Sequence, residues 1–168
     1  ADKSRALAML RHRGPDGCGE WRNENNIWLG HTRLSVQDLT DASRQPMVGR
    51  NRTTCLTFNG EIYNAPRLRE ELLGKGHQFS TTGDTEVLLR AYEQWGSECV
   101  KYLEGMFAFA VWDGQKDKLI LVRDRLGMKP LYYTSIGAGI GFASEAGVLA
   151  ALVKSHRKPE VSREALAY

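Results

Sequence analysis

The sequence predicts an α+β fold in which two packed sheets are flanked by helices. Residues 106–112 are apolar on both alternating faces, which is typical of a strand that is covered on both sides. Another segment carries an apolar stripe at helical spacing, formed by Leu88, Ala91, Tyr92 and Trp95. Helical patterns also occur near both ends of the chain. Helices before and after buried strands imply a layered architecture.

The first part of the chain predicts a short helix and a strand. Residues 1–11 are rich in Ala and Leu, and Gly14-Pro15 ends this predicted helix. Residues 27–36 alternate loosely, so His31 and Arg33 lie on the same side of the predicted strand. Because most strand arginines are solvated, the pattern alone makes Arg33 a weak candidate for a binding site.

An Asn59-Gly60 pair lies between two β-prone runs and predicts a two-residue type I′ hairpin turn. Both central residues of that turn need positive φ, which Asn and Gly accept. After the turn, Asn64 caps a predicted helix whose second residue is Pro66. The apolar side of this helix is formed by Leu68, Leu72 and Leu73. By itself, the turn is a structural feature without chemistry.

The second half of the chain predicts the striped helix, further strands and a last helix. Asp84 is predicted to cap the striped helix and Gly96 to end it. The remaining strands and the last helix are predicted at 118–123, 131–134, 140–143 and 144–152. The Gly-rich run 137–141 is not followed by Gly-Lys-Ser/Thr, so it predicts a hairpin turn and not a phosphate loop.

Composition favours one globular domain of ordinary type. The 168 residues carry a net charge of +3 that is dispersed along the chain, which argues against nucleic-acid binding. Neither a leader peptide nor an apolar run of membrane-spanning length is recognised, so we expect no export and no membrane insertion. Cys18, Cys55 and Cys99 show no paired spacing and are expected to be small buried hydrophobes in a reducing cytoplasm.

Motifs spread over nearly the whole chain resemble one family. They are His12-Arg13-Gly14-Pro15-Asp16-Gly17, Leu29-Gly30-His31-Thr32-Arg33-Leu34-Ser35, Gln45-Pro46-Met47, residues 56–64, Gly83-Asp84-Thr85-Glu86-Val87, residues 123–133 and Phe142-Ala143-Ser144-Glu145. They are similar to the glutaminase domain of the asparagine synthetase B family, class II glutamine amidotransferases of the N-terminal-nucleophile type. This resemblance implies the four-layer α/β/β/α sandwich of N-terminal-nucleophile hydrolases. It also implies a glutaminase domain at 1–160 that lacks its N-terminal strand, and a linker at 161–168 toward an absent synthetase domain.

The resemblance implies a binding site for glutamine. The Asn59 side-chain amide and the Gly60 backbone N–H would form the oxyanion hole of the reaction. Arg33 would bind the α-carboxylate bidentately, and Asp84 with Glu61 would hold the α-ammonium group. The backbone of four further residues would line the pocket: Leu34, Ser35, Val36 and Gln37. Asp84 can hold the ammonium and cap its helix at the same time.

The chain departs from the family at its start. Family members begin Met-Cys-Gly-Ile, and the exposed cysteine is the nucleophile, whereas this chain begins Ala1-Asp2-Lys3. An N-terminal cysteine can use its own α-amino group, with a pKa near ~8, as the base. The internal cysteines cannot do this, so we expect the chain as given to be inactive. No metal site is expected in this domain, and ATP and Mg²⁺ are expected only in the absent synthetase domain.

Two functions remain open from the sequence. The first is the glutaminase domain of an asparagine synthetase-like enzyme, which supplies ammonia for amidation of an acyl-adenylate and so converts aspartate to asparagine. The second is a catalytically silent amidotransferase-like domain with a structural or interaction role. For the first, the expected partners are L-glutamine and the synthetase domain of the same protein, while a homodimer is left open. No nucleic-acid or membrane partner is expected, and the expected location is cytoplasmic.

Overall fold

The computed structural model describes residues 3–24, 26–34 and 43–154. The predicted pocket residues Ser35, Val36 and Gln37, and the predicted linker at 161–168, lie outside these ranges. The helices are α1 (Lys3–Leu10), α2 (Ala65–Gly74), α3 (Asp84–Trp95) and α4 (Ala146–Lys154). The strands are β1 (Gly17–Arg22), β2 (Trp28–Arg33), β3 (Met47–Val48), β4 (Thr54–Ile62), β5 (Gly105–Asp113), β6 (Lys118–Arg123), β7 (Tyr132–Ile136) and β8 (Gly139–Ala143). Short 3₁₀ helices follow α1 and α3, at Arg11–Arg13 and Gly96–Lys101.

A central antiparallel sheet has the strand order β3-β4-β5-β6. Its longest pairing joins β4 to β5 from Thr54↔Asp113 to Ile62↔Gly105. Two separate antiparallel hairpins, β1-β2 and β7-β8, form the other sheets. The Gly-rich run forms the turn of the second hairpin, as the sequence predicts.

Three hydrophobic clusters separate four layers, and together they explain the order of the layers. The first lies between the helices α2 and α3 and one face of the central sheet, with Leu68, Leu88, Phe58 and Phe109 among its members. The second lies between the other face of the sheet and the hairpins, and it contains Leu29, Cys55 and Trp112 with Phe142 packed against them. The third joins α1 and α4 to the hairpins through Ala6, Ala143, Val148 and Leu149. The predicted α+β fold with an α/β/β/α sandwich is therefore confirmed.

The predicted type I′ turn at Asn59-Gly60 is wrong, because both residues lie inside the continuous strand β4. Asn59 pairs with Ala108 and Gly60 with Phe107 of β5, so pairing between distant segments overrides the local turn preference. Gly60 has a φ of 152°, and a Cβ there would overlap the carbonyl oxygen of Met106. The glycine is needed for close approach of the two strand backbones and not for a turn.

Two predicted helix caps differ from the observed ones. Asn64 precedes α2 as predicted, but its amide donates to the Tyr102 carbonyl and accepts from Glu104 N–H instead of capping the helix. Asp84 is the first residue of α3, and Gly83 occupies the N-cap position. In both cases the polar side chain binds a distant backbone group, which sequence spacing does not reveal.

Two predicted burial patterns are also wrong. Leu68 and Leu72 are buried, but Leu73 is 52% exposed, because the apolar stripe of α2 is narrower than predicted. Cys55 and Cys99 are fully buried as expected, whereas Cys18 is exposed on the β1-β2 hairpin. Among the described residues, no helix is long and apolar enough to span a bilayer.

Replacement of Gly60 tests the close approach of β4 and β5. Gly60→Ala places a Cβ against backbone atoms of Met106 and Phe107, and we expect the free energy of unfolding to fall by about 1–3 kcal/mol. Gly74→Ala is the matched control, since a Cβ there has open space at the end of α2. It should change stability by less than about 1 kcal/mol. Urea denaturation of both variants provides the measurement, and equal losses would argue against the close-approach explanation.

Candidate active site

A pocket of about 450 Å³ lies where the ends of β2 and β4 meet the N-terminus of α3. It brings together every predicted site residue that lies in the described part of the chain, namely Arg33, Leu34, Asn59, Gly60, Glu61 and Asp84. The predicted lining residues Ser35, Val36 and Gln37 belong to the segment that the structure does not describe. Residues that are far apart in sequence therefore share one concave surface.

The side chain of Asn59 faces this pocket with an unpaired donor. Its Nδ2 atom is buried and has no hydrogen-bond partner among the described residues. A buried amide without a partner costs about 1–3 kcal/mol, so such groups are rare unless they serve a function. The unpaired amide is therefore a candidate hydrogen-bond donor to a ligand.

The backbone N–H of Gly60 points to the same pocket. Along β4, Phe58 N–H donates to Gln45 Oε1 at 2.6 Å, and Ile62 N–H donates to Asp84 Oδ2 at 3.0 Å. Alternate residues of a strand direct their backbone groups to the same edge, so Gly60 N–H lies between these two. The pairing partner of Gly60, Phe107, directs its own backbone groups the other way, to Asp124. The two donors of Asn59 and Gly60 are thus adjacent.

Asp84 supplies a buried carboxylate at the N-terminus of α3. Burial raises the pKa of this carboxyl, and the neighbouring Glu61 contributes in the same direction, although hydrogen bonds such as that from Ile62 N–H oppose both. A buried carboxyl with a raised pKa gains most from a bound cation, which would offset its loss of hydration. The position therefore suits an ammonium group.

Basic side chains line the same pocket as these acids. Arg33, at the end of β2, lines it together with Arg13 and Lys129. Burial, and then the charge of Arg33, lower the pKa of His31 to about 4, so His31 is neutral near pH 7. A lining that carries both charge signs matches a ligand that also carries both.

The sequence analysis missed several residues that line the pocket. They are Arg13, His31, Thr32, Ser43, Gln45, Phe58, Gly83, Thr85, Met106 and Lys129. All of these except Ser43 and Met106 lie in motifs that carried the family resemblance, and that location was the available signal. Met106 lies in a strand whose apolar pattern predicts only core packing. Among the described residues, no group of three or more His, Cys, Asp or Glu could hold a metal ion.

A second cavity of about 340 Å³ adjoins the first one. It lies between the two hairpins, with α1 and α4 on one side and β4 and β5 on the other. Asn59, His31 and Arg13 line both cavities. Asn59 therefore lies at the boundary between the two cavities.

Comparison with known proteins gives the family. The family described as "Glutamine amidotransferase domain" matches residues 1–168. Glutamine-hydrolysing asparagine synthetase 3 of Bacillus subtilis is 44% identical over 164 residues, which cover 96% of this chain and 26% of that protein. Glutamine-hydrolysing asparagine synthetase B of Escherichia coli is 46% identical over 124 residues, or 74% of this chain and 22% of that protein. The chain spans about a quarter of the length of these relatives.

Solved structures support the fold. The glutamine phosphoribosylpyrophosphate amidotransferase of Bacillus subtilis, solved with ADP and GMP, superposes with a TM-score of 0.74 at 23% identity. The match covers 88% of this chain and 39% of that one. At this identity the likeness concerns the fold alone. The family match over all 168 residues shows that the chain belongs to the glutamine amidotransferase domain family.

Proposed function

We propose that the chain is the glutaminase domain of an asparagine synthetase-like enzyme, which hydrolyses the side-chain amide of L-glutamine. The ammonia would serve a synthetase domain of the same protein, which would bind ATP and Mg²⁺ and amidate an acyl-adenylate, converting aspartate to asparagine. The single observation that carries the proposal is the buried, unpartnered Nδ2 of Asn59 beside Gly60 N–H. These two donors suit an oxygen that becomes negatively charged during the reaction.

The charged groups of the pocket account for selection of a free amino acid. In this proposal Arg33 binds the α-carboxylate with its planar guanidinium group. Asp84, with Glu61 close to it, holds the α-ammonium group. The side-chain amide of glutamine then reaches Asn59 and Gly60, so that its carbonyl oxygen receives both donors. The pocket suits this zwitterion because its lining carries both charge signs.

The nucleophile in this proposal is the thiol of an N-terminal cysteine on a strand that precedes Ala1. Its sulfur attacks the amide carbon, and the α-amino group of the same residue takes the thiol proton and passes it to the departing ammonia. Water then hydrolyses the thioester to glutamate and frees the thiol. The cavity between the two hairpins supports this proposal, because Asn59 lines it and the first residue of an added strand would lie beside Asn59 there.

None of the internal cysteines supports an alternative nucleophile. Burial raises the pKa of both Cys55 and Cys99 to about 12, and neither residue lines the pocket. Cys18 is exposed on β1 and also lies outside the pocket. We therefore expect no glutamate release from glutamine by the chain as given. Glutaminase activity of the purified chain would contradict this expectation, whereas lack of activity in a protein that begins with the cysteine would favour a silent domain.

Asn59→Ala tests the oxyanion assignment in a protein that carries the N-terminal cysteine. Loss of one oxyanion donor typically lowers kcat by about 10²–10³-fold. KM should change little, because the charge on the oxygen develops only in the transition state. Asn64→Ala is the matched control, since it removes an amide from the end of the same segment, outside the pocket. Steady-state glutaminase kinetics that show normal kcat for Asn59→Ala would move the assignment elsewhere.

Asp84→Asn and the pH profile of glutamine affinity test the ammonium assignment. A proton on Asp84 competes with the ammonium group, so glutamine affinity should fall as the pH is lowered. Because the pKa of Asp84 is raised, this loss should begin at a higher pH than for an ordinary Asp of pKa ~3.9. Asp84→Asn should weaken binding and remove this pH dependence, while its carbonyl oxygen can still accept Ile62 N–H and preserve stability. Asp113→Asn alters another buried acid that is bonded to Tyr92, and it should leave affinity unchanged. Titration calorimetry at several pH values provides the measurement.

A further inference from the structure

The segment Ser80–Gly83 leads into α3 and sets the position of Asp84. On one side, a single carboxylate oxygen, Glu86 Oε2, holds the start of this segment. It accepts hydrogen bonds from Ser80 N–H at 2.9 Å, Thr81 N–H at 2.7 Å and Thr81 Oγ1 at 2.9 Å. The side chain of Glu86, in the first turn of α3, therefore holds three hydrogen-bond donors of the segment that precedes this helix.

On the other side, Arg69 of α2 holds the carbonyl groups of the same segment. Its Nη1 donates to the Thr81 carbonyl at 2.9 Å and its Nη2 to the Gly83 carbonyl at 3.1 Å. The guanidinium group also lies over the Phe79 ring, 4.3 Å from its centroid. Because the Gly83 carbonyl belongs to the peptide bond that joins Gly83 to Asp84, Arg69 restrains the backbone at Asp84 directly.

Glu86 is held in turn by a buried chain of charges. Its Oε1 accepts from Arg90 Nη2 at 3.0 Å, and Arg90 Nη1 donates to Glu93 Oε2 at 2.7 Å. Glu86 and Arg90 are both almost fully buried. Burial alone would raise the pKa of Glu86, but the hydrogen bonds from Ser80 and Thr81 outweigh it and lower that pKa. Buried ion pairs of this kind are weak evidence for added stability, so a positional role is worth testing.

We propose that Glu86 and Arg69 are positioning residues that fix the Asp84 carboxylate for the α-ammonium group of the substrate. Neither side chain lines the pocket, so each would act through the segment Ser80–Gly83 and not by touching the ligand. The inference rests on the proposed glutaminase function. It adds the prediction that recognition of the ammonium group depends on Glu86 and Arg69, which support the pocket residues without lining the pocket themselves.

Kinetics of the full-length enzyme with its N-terminal cysteine test the proposal. Glu86→Gln replaces an acceptor oxygen by a donor, and Arg69→Met keeps an unbranched side chain as far as the Nε position but removes both hydrogen bonds. Each should raise KM for glutamine on the order of 10–100-fold, because small displacements of a binding group are costly, while kcat stays within a few-fold. Arg69→Lys should restore part of the affinity, since one hydrogen bond can remain.

The chain offers a matched control for each variant. Glu93→Gln alters a carboxylate that pairs with the same Arg90 but does not reach the segment. Arg67→Met removes an arginine from the same helix as Arg69, where it pairs with Glu104 at the surface. Both controls should leave KM for glutamine unchanged. Increases in KM equal to those of Glu86→Gln and Arg69→Met would show that general disturbance of the helices is the cause, and would overturn the proposal.

A ligand without the ammonium group separates positioning of Asp84 from distortion of the whole pocket. The glutamine analogue 4-carbamoylbutanoate, tested as a competitor of glutamine, keeps the carboxylate and the amide but cannot bind Asp84 through a charge. Its inhibition constant should be the same, within a few-fold, in wild type, Glu86→Gln and Arg69→Met. Equal weakening of this inhibitor and of glutamine would overturn the inference.

The same experiment distinguishes failure of the inference from failure of the proposed function. A wild-type enzyme that does not hydrolyse glutamine would remove the proposed function itself. An active wild type whose Glu86→Gln and Arg69→Met variants keep normal KM would remove only the positioning role. Arg69 is less buried than Glu86, so Arg69→Met gives the deciding result if Glu86→Gln does not fold.

Discussion

The pairing of β4 with β5 is the constraint on which the rest of the structure depends. It extends over nine residue pairs and places the glycines Gly60 and Gly105 near one end of the ladder. A Cβ at either glycine would overlap a carbonyl oxygen of the opposite strand, so the two backbones approach closely only because both are glycines. This close approach carries Asn59 and Glu61 into the pocket while the strand remains continuous.

The same pairing fixes the alternation of backbone groups on which the pocket depends. Asp124 accepts Phe107 N–H and donates its own N–H to the Phe107 carbonyl, so Phe107 directs its groups away from β4. Its partner Gly60 consequently directs its N–H to the open edge. Asp124 also accepts the backbone N–H groups of Leu126, Met128 and Lys129, which shapes the loop that brings Lys129 to the pocket. One buried acid thus organises both the sheet and part of the pocket wall.

Sequence patterns predict those parts of the fold that depend on local periodicity. The stripe of α3, the doubly covered strand β5 and the β7-β8 hairpin are all observed where they were predicted. The predicted turn at Asn59-Gly60 was wrong, because pairing with a strand about fifty residues away in the sequence decides the backbone conformation there. The predicted burial of Leu73 and Cys18 was wrong, because apolar character alone does not define which side of a helix or strand faces its neighbours.

The site shows the same division between local and long-range information. The resemblance identified residues that the structure gathers into one pocket, although their roles remain predictions. No local pattern indicated that Gln45 would complete the edge of β4 by accepting Phe58 N–H. Likewise, Glu86 and Arg69 resemble ordinary charged helix residues, and only the tertiary structure shows that they bind the segment before Asp84.

The pocket combines polar groups whose burial costs folding free energy. Asn59 has a buried donor without a partner among the described residues. Asp84 has a carboxyl group whose pKa is raised by burial. Both burials oppose folding, because a polar group removed from water needs a partner. The surrounding framework is well packed, with buried residues of β4 and β5 behind the donors and the charge chain of Glu86, Arg90 and Glu93 behind the acid. A ligand that satisfied both groups would stabilise the folded state by its binding free energy, so the proposed function would offset the cost of burying them.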